Sequence, residues 1–288
     1  MVKWLCGLAL VALAACAPPE AATVASQQVA PRLDLIWRAS GLANPESAAL
    51  SADGTFLYVT NVNGEADAKD GNGFISRLGV DGRMIEREFA TGLNGPKGIT
   101  LRGDALYVAD IDEVVVFDAA TGAVRQRVPA PGARFLNDLT FAPSGRALIA
   151  DSGTGRIYAL DGDAMTIWLE HALLQSVNGF LPEANRLVVT TMAGRLLAID
   201  YETRNISVLA EGLGDADGIA PLGDCRYLVS EWPGLMHVVT PDGAHETILD
   251  TRSEERLLND FLLVGDVLYQ PHWEPSEFSA YRVVQSAP

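Results

Sequence analysis

Six polar residues, each standing just before a short apolar strand, recur about every forty residues along this chain. They are Glu46 in NPESAAL, Lys97 in GPKGITL, Asn137 in LNDLTF, Asn178 in VNGF, Asp217 in DADGIA and Asn259 in LNDFLL. If the strands that follow them stand around one axis, these side chains converge on one spot. A glutamate, an aspartate and several asparagine amides meeting there form an oxygen-rich cage suited to a hard divalent cation. Calcium takes about 6–8 oxygens, so a cage of four protein ligands leaves positions open for water and substrate. An open ion of this kind polarises an ester carbonyl and acidifies bound water, with Asp217 available as the proton acceptor. No cysteine and no histidine pair joins the set, which disfavours structural zinc. The competing reading is that these residues only satisfy buried backbone groups around a water-filled channel.

The elements that must position them repeat one plan. After each polar residue comes an apolar strand, then a turn such as SADG or APSG, then a second strand such as FLYVTN, LYVAD or ALIADS. A third strand follows (FISRLGV, EVVVFD, RIYALD), then an Asp-Gly or Thr-Gly hairpin signal, then a more polar fourth strand. Short runs rich in Val, Ile, Leu and Tyr and bounded by glycine are strands rather than helices. The sixth unit lacks a fourth strand, and RLDLIWRASGL precedes the first unit as a spare one. The expected fold is therefore an all-β, six-bladed propeller of four-stranded blades over residues 32–288, closed by its N-terminal strand. In that fold the ends of the second strands, Asn61, Asp110, Asp151, Thr191, Glu231 and His272, surround the six ring residues. The long 61–73 loop rises on the same face; its Asp67 and Asp70 do not follow the spacing of a calcium-binding helix–loop–helix.

On these residues the chain resembles the family of regucalcin (senescence marker protein), gluconolactonase and luciferin-regenerating enzyme, here in a bacterial lipoprotein form. The resemblance covers nearly all of the chain beyond residue 31 and rests on architecture and ring residues, with no long identical motif. It implies a divalent metal held by Glu46, Asn137, Asn178 and Asp217, with Asp217 also the catalytic base or nucleophile. Calcium is the first expectation, with magnesium, manganese or zinc as alternatives. Arg134 lies one residue out of step with a substrate-binding arginine of the gluconolactonase branch. Lys97, Asn259 and His272 are further substrate-binding candidates from their places on the active face. The implied activity is metal-dependent hydrolysis of a lactone or small ester; the alternative is a non-catalytic propeller that binds a ligand or an envelope protein. No Gly-Xaa-Ser-Xaa-Gly occurs, so serine-hydrolase chemistry is not expected.

Bulk composition narrows the setting. With 48% hydrophobic and 20% charged residues the 288-residue chain can bury a core. A formal net charge of −16 argues against nucleic acid as a partner. Lys3 and the apolar run Trp4 to Ala15 read as a signal peptide over 1–15, too short for a membrane span of about 20 residues. Its Leu-Ala-Ala-Cys ending makes Cys16 the expected lipidation site, with residues 16–31 a tether. The chain is thus expected to be exported and lipid-anchored in the outer membrane facing the periplasm, touching membrane only through that anchor. Cys6 would leave with the signal, so no disulfide framework is expected and Cys225 reads as a buried structural thiol.

Overall fold

The computed structural model describes residues 29–285, and they form a ring of six four-stranded antiparallel sheets. Strand β1 (Arg32–Ala39) precedes the first blade, built from β2 (Pro45–Leu50), β3 (Phe56–Asn61), β4 (Gly73–Gly79) and β5 (Met84–Leu93). Blade two holds β6 (Pro96–Arg102), β7 (Ala105–Asp110), β8 (Glu113–Asp118) and β9 (Val124–Pro129). Blade three holds β10 (Leu136–Phe141), β11 (Ala147–Asp151), β12 (Arg156–Asp161) and β13 (Ala164–Glu170). Blade four holds β14 (Val177–Pro182), β15 (Arg186–Thr191), β16 (Arg195–Asp200) and β17 (Ile206–Glu211). Blade five holds β18 (Asp215–Gly223), β19 (Arg226–Trp232), β20 (Leu235–Val239) and β21 (His245–Asp250). The last blade takes β22 (Leu262–Val264), β23 (Val267–His272) and β24 (Glu277–Val284), and β1 completes it. Pairing of β1 with β24 runs antiparallel from Arg32 opposite Val284 to Ala39 opposite Phe278. The N-terminal closure expected from the sequence is therefore present.

The core lies between the blades. Six apolar clusters fill the six gaps: Ile75 of blade one meets Leu106 of blade two, and Leu148 of blade three meets Leu187 of blade four. Successive residues of one strand serve opposite gaps, as Leu148 and Ile149 do. Both faces of each blade are thus covered, which explains why the middle strands are apolar almost throughout. Trp37 on β1 packs into the gap between blades six and one, and its indole N–H donates to the Val80 carbonyl at 3.0 Å.

The inner strands carry the feature that builds the site. Pairing of β2 with β3 jumps from Pro45 to Ala48, and the same two-residue skip occurs at 97–98, 137–138, 178–179 and 217–218. In blade six Leu258 bridges to His272, and regular pairing resumes only at Leu262, so 259–261 are passed over there. Irregularities of this kind release a residue from the ladder and re-aim its side chain. Here they turn all six ring residues toward the axis.

Hydroxyls on the second strands satisfy the backbone that the skips free. Thr190 accepts the Gly179 N–H at 2.8 Å and donates to the Asp217 carbonyl of the next blade. Ser230 accepts from Gly218 and donates to Asn259, and Thr60 accepts from Ser47 and donates to Lys97, in the same pattern. Each hydroxyl therefore fixes one ring residue to its neighbouring blade. Thr190→Val keeps the shape but strands a buried donor and a buried acceptor. We expect it to destabilise the fold by about 2–4 kcal/mol in urea titration; a loss under about 0.5 kcal/mol would show the bridge to be dispensable.

The signal peptide, Cys16 and most of the 16–31 tether lie outside the described residues. Cys225 is half-buried rather than buried, just before β19. Among the described residues no helix is long and apolar enough to cross a membrane.

Candidate functional site

All six ring residues line a single cavity of about 530 Å³ at the hub. Glu46, Lys97, Asn137, Asn178, Asp217 and Asn259 are each at most 5% exposed, yet all border that space. Among them, Glu46 Oε2 and Asp217 Oδ1 are buried with no hydrogen-bond partner. A buried carboxylate oxygen without a donor is costly to leave so. Two of the three amides, by contrast, have their nitrogens committed outward, while Asn178 hydrogen-bonds Asp217 within the ring. Asn259 Nδ2 donates to the Pro45 carbonyl at 2.9 Å and Asn137 Nδ2 to Ser152 Oγ at 3.3 Å, so each amide oxygen is the group left for a ligand.

Beneath the ring is a second layer formed by the next residue of each inner strand: Ser47, Gly98, Asp138, Gly179, Gly218 and Asp260. The glycines make room. A Cβ on Gly98 would sit 2.8 Å from Asp138 Oδ1, and one on Gly218 2.7 Å from Asp260 Oδ1. Asp138 accepts the backbone N–H groups of Phe180 and Leu139, each at 2.6 Å, and Asp260 accepts the Ser47 hydroxyl at 2.6 Å. These two aspartates were not singled out as site residues from the sequence. Their signal was present as the Asn-Asp pair repeated in blades three and six.

The hub is short of positive charge. Burial, and then the nearby Asp217 and Asp260, push the Glu46 carboxyl well above its ordinary range. Burial and Asp260 do the same to Asp217, partly opposed by a hydrogen bond from Asn178, and to Asp138. Asp260 is pushed up to about 6 by burial. Four buried or half-buried carboxyls thus crowd the hub, and of these Lys97 acts on Glu46. Lys97 is brought down to about 8 by burial while Glu46 pulls it up, so it stays mostly charged at neutral pH. Its Nζ donates to the carbonyls of Ala66 at 2.7 Å and Gly95 at 3.0 Å and lies 4.1 Å from the centre of the Phe135 ring.

Other expected residues fall elsewhere. His272 is fully buried in blade six, with its Nε2 2.8 Å from Ser279 Oγ, and does not border the cavity. Burial brings its ring down to about 4, so it is neutral. It belongs to the blade interior, a correction to its candidacy for substrate. Arg134 is exposed and also outside the lining; its neighbour Phe135 turns inward instead. The cause is the carboxylate of Asp151, which takes the backbone N–H groups of both residues and fixes the loop with the arginine side chain outward. Asp110 likewise accepts from Asn94 and Gly95, and Asn61 from Ala43. In blades one to three the second-strand ends therefore secure the loops that deliver ring residues, whereas Thr191, Glu231 and His272 bond within their own blades.

The mouth is built from loops. Gly64, Glu65 and Ala66 of the 61–73 loop form one wall, and Asn44, Phe135, Met192, Trp232, Trp273 and Glu274 complete it. Among the described residues no three His, Cys, Asp or Glu side chains converge as a ready-made metal cluster. Any ion at the hub would be held by two carboxylates together with amide oxygens.

No family model matches the sequence, and no curated protein matches it in sequence. Solved structures do match in shape. Virginiamycin B lyase from Staphylococcus aureus superposes with a TM-score of 0.65 at 13% identity, over 88% of this chain and 100% of that one. A catalytically inactive histidine-to-alanine variant of that lyase with quinupristin gives 0.60 at 11% identity, with the same coverage. A streptogramin B lyase structure gives 0.62 at 12%, over 88% of this chain and 97% of that one. At these identities the likeness is one of fold, and that fold is the propeller described above.

Proposed function

We propose that this chain is a divalent-metal-dependent hydrolase of lactones or small esters. The observation that carries the reading is the pair of partnerless oxygens, Glu46 Oε2 and Asp217 Oδ1, buried in one cavity with three asparagine amides. Residues serving only as scaffold would have been expected to find protein partners. A hard cation fits this donor set, because it has oxygens only and more carboxyls than Lys97 can balance once they ionise. Glu46, Asn137, Asn178 and Asp217 would hold it, with calcium first and magnesium, manganese or zinc as alternatives. Such an ion supplies Lewis acidity toward a carbonyl and an acidified water.

The protein's own groups do the rest. Asp217 would take at its carboxylate the proton removed from the attacking water. Lys97 has two of its three N–H groups fixed on Ala66 and Gly95, leaving one for the oxygen that gains charge. Asn259 orients substrate through its amide oxygen. Histidine-based acid–base chemistry has no support at this hub, because no histidine among the described residues lines the cavity. Export, anchoring through a lipidated Cys16 and placement at the periplasmic face of the outer membrane belong to the same proposal. They rest on the N-terminal sequence.

Two measurements test it together. Elemental analysis of the native protein should find about one equivalent of divalent metal, and a lactone and ester panel should show turnover that chelator removes and metal restores. Metal-free protein of ordinary stability and no turnover would favour a binding module instead.

A further inference from the structure

We propose that the hub cavity selects uncharged lactones or esters carrying a flat apolar group, such as a fused aromatic ring, and rejects anionic and polyhydroxylated ones. This rests on the hydrolase reading for the reaction and on the mouth of the cavity for the selectivity.

The mouth has apolar surface that the fold does not use. Trp232 ends β19, and Trp273 directly follows β23; their rings meet edge to face, 5.9 Å apart between centroids. Met192 lies on the wall between the blade-four strands, and Phe135 faces inward from blade three. None of these four belongs to any of the six clusters between blades, and all are only half-buried. Their surface is therefore not part of the folding core and remains available to a ligand. Trp273 is held in place, since Asn44 Nδ2 donates to its carbonyl at 3.2 Å. A pre-positioned aromatic pair above a polar floor suits a molecule with a flat apolar body and one polar reacting group.

Charge points the same way. Glu65 and Glu274 stand exposed at the mouth, and Glu46 and Asp217 lie below them. Among the described residues Lys97 is the one cationic side chain in the lining, and it is buried and mostly engaged. A carboxylate or phosphate substrate would approach a net charge of −16 and pass two rim carboxylates before it reached Lys97 and an ion whose charge Glu46 and Asp217 already offset. A sugar lactone would lose water from several hydroxyls against indole ring faces and a thioether that return few hydrogen bonds.

The test compares dihydrocoumarin with glucono-1,5-lactone as substrates, and measures binding of 3,4-dihydroquinolin-2-one, the hydrolysis-resistant lactam of the same shape, by calorimetry. The native protein should show kcat/KM for dihydrocoumarin at least about tenfold above that for gluconolactone. Replacing both Trp232 and Trp273 by alanine should raise the KM for dihydrocoumarin, and the Kd for the lactam, by about tenfold or more. Bound metal should be unchanged, and the Trp→Phe pair should recover most of the loss. If the alanine pair unfolds, the phenylalanine pair and the lactam titration still decide. Lactam binding that depends on the two tryptophans, with neither lactone turned over, would uphold the selectivity and sink the hydrolase reading. Equal or better turnover of gluconolactone, or no lactam binding, would overturn the selectivity itself.

Discussion

Asp217→Asn should lower turnover by about 100- to 10,000-fold while leaving the propeller folded. The substitution keeps size and one oxygen but removes both the charge and the ability to take a proton. Asp217 is buried with Oδ1 unpartnered, and its neighbours Glu46 and Asp260 are acidic. In metal-free protein the variant relieves that repulsion, so its melting temperature should match or exceed that of the native chain. Loss of activity together with unchanged or higher metal-free stability separates a chemical role from a structural one. Turnover should be measured at saturating metal, because the lost charge also weakens the ion's hold. Activity within threefold of native under those conditions would remove Asp217 from the reaction.

The second large effect concerns pH and metal together. Glu46, Asp138 and Asp217 are held well above the ordinary carboxyl range and Asp260 at about 6, with burial the first cause in each case. An acid whose folded value exceeds its unfolded value, about 4, stabilises the fold most when protonated. That contribution is complete below about pH 4 and is lost as pH rises through the folded values. The hub of chelated protein should therefore become a growing burden from about pH 4 past pH 6. Metal requires the ionised carboxylates, so its affinity should rise across the same window. At one hundred times its Kd, calcium should add about 2.7 kcal/mol, a rise of about 5–10 °C for a chain of this size. Thermal melts at pH 5 and pH 8, with chelator and with calcium, should show the gap widening with pH. Glu46→Gln should shrink that gap. A gap that is absent, or that narrows with pH, would count against a cation at the hub.

The ring of six residues was legible because one rule generates it. The blade period places Glu46, Lys97, Asn137, Asn178, Asp217 and Asn259 at equivalent strand starts, and the period is carried by hydrophobic pattern and turn glycines. Closure by β1 was legible for the same reason, since a strand is missing at one end and spare at the other. The mouth obeys no such rule. Arg134 and Phe135 exchange roles because Asp151 fixes the backbone between them, and nothing in the order of those residues says which side chain turns inward. His272 stands at the matching position of its strand, yet Ser279 draws it into the blade. The second layer was hidden differently. Asp138 and Asp260 reach the axis only because Gly98 and Gly218 leave space on neighbouring blades, a relation between distant residues that no local motif records.

The closing blade joins the first at the hub as well as at the rim. There Asn259 reaches the Pro45 carbonyl and Ser47 reaches Asp260, while at the rim Trp37 grips Val80. The cavity thus sits astride the seam where the chain's two ends are sewn together. A ligand held jointly by Glu46 on one side and Asn259 on the other acts as a rivet across it. Strain that peels β1 from β24 would open the rim first and leave that rivet as the remaining tie across the seam.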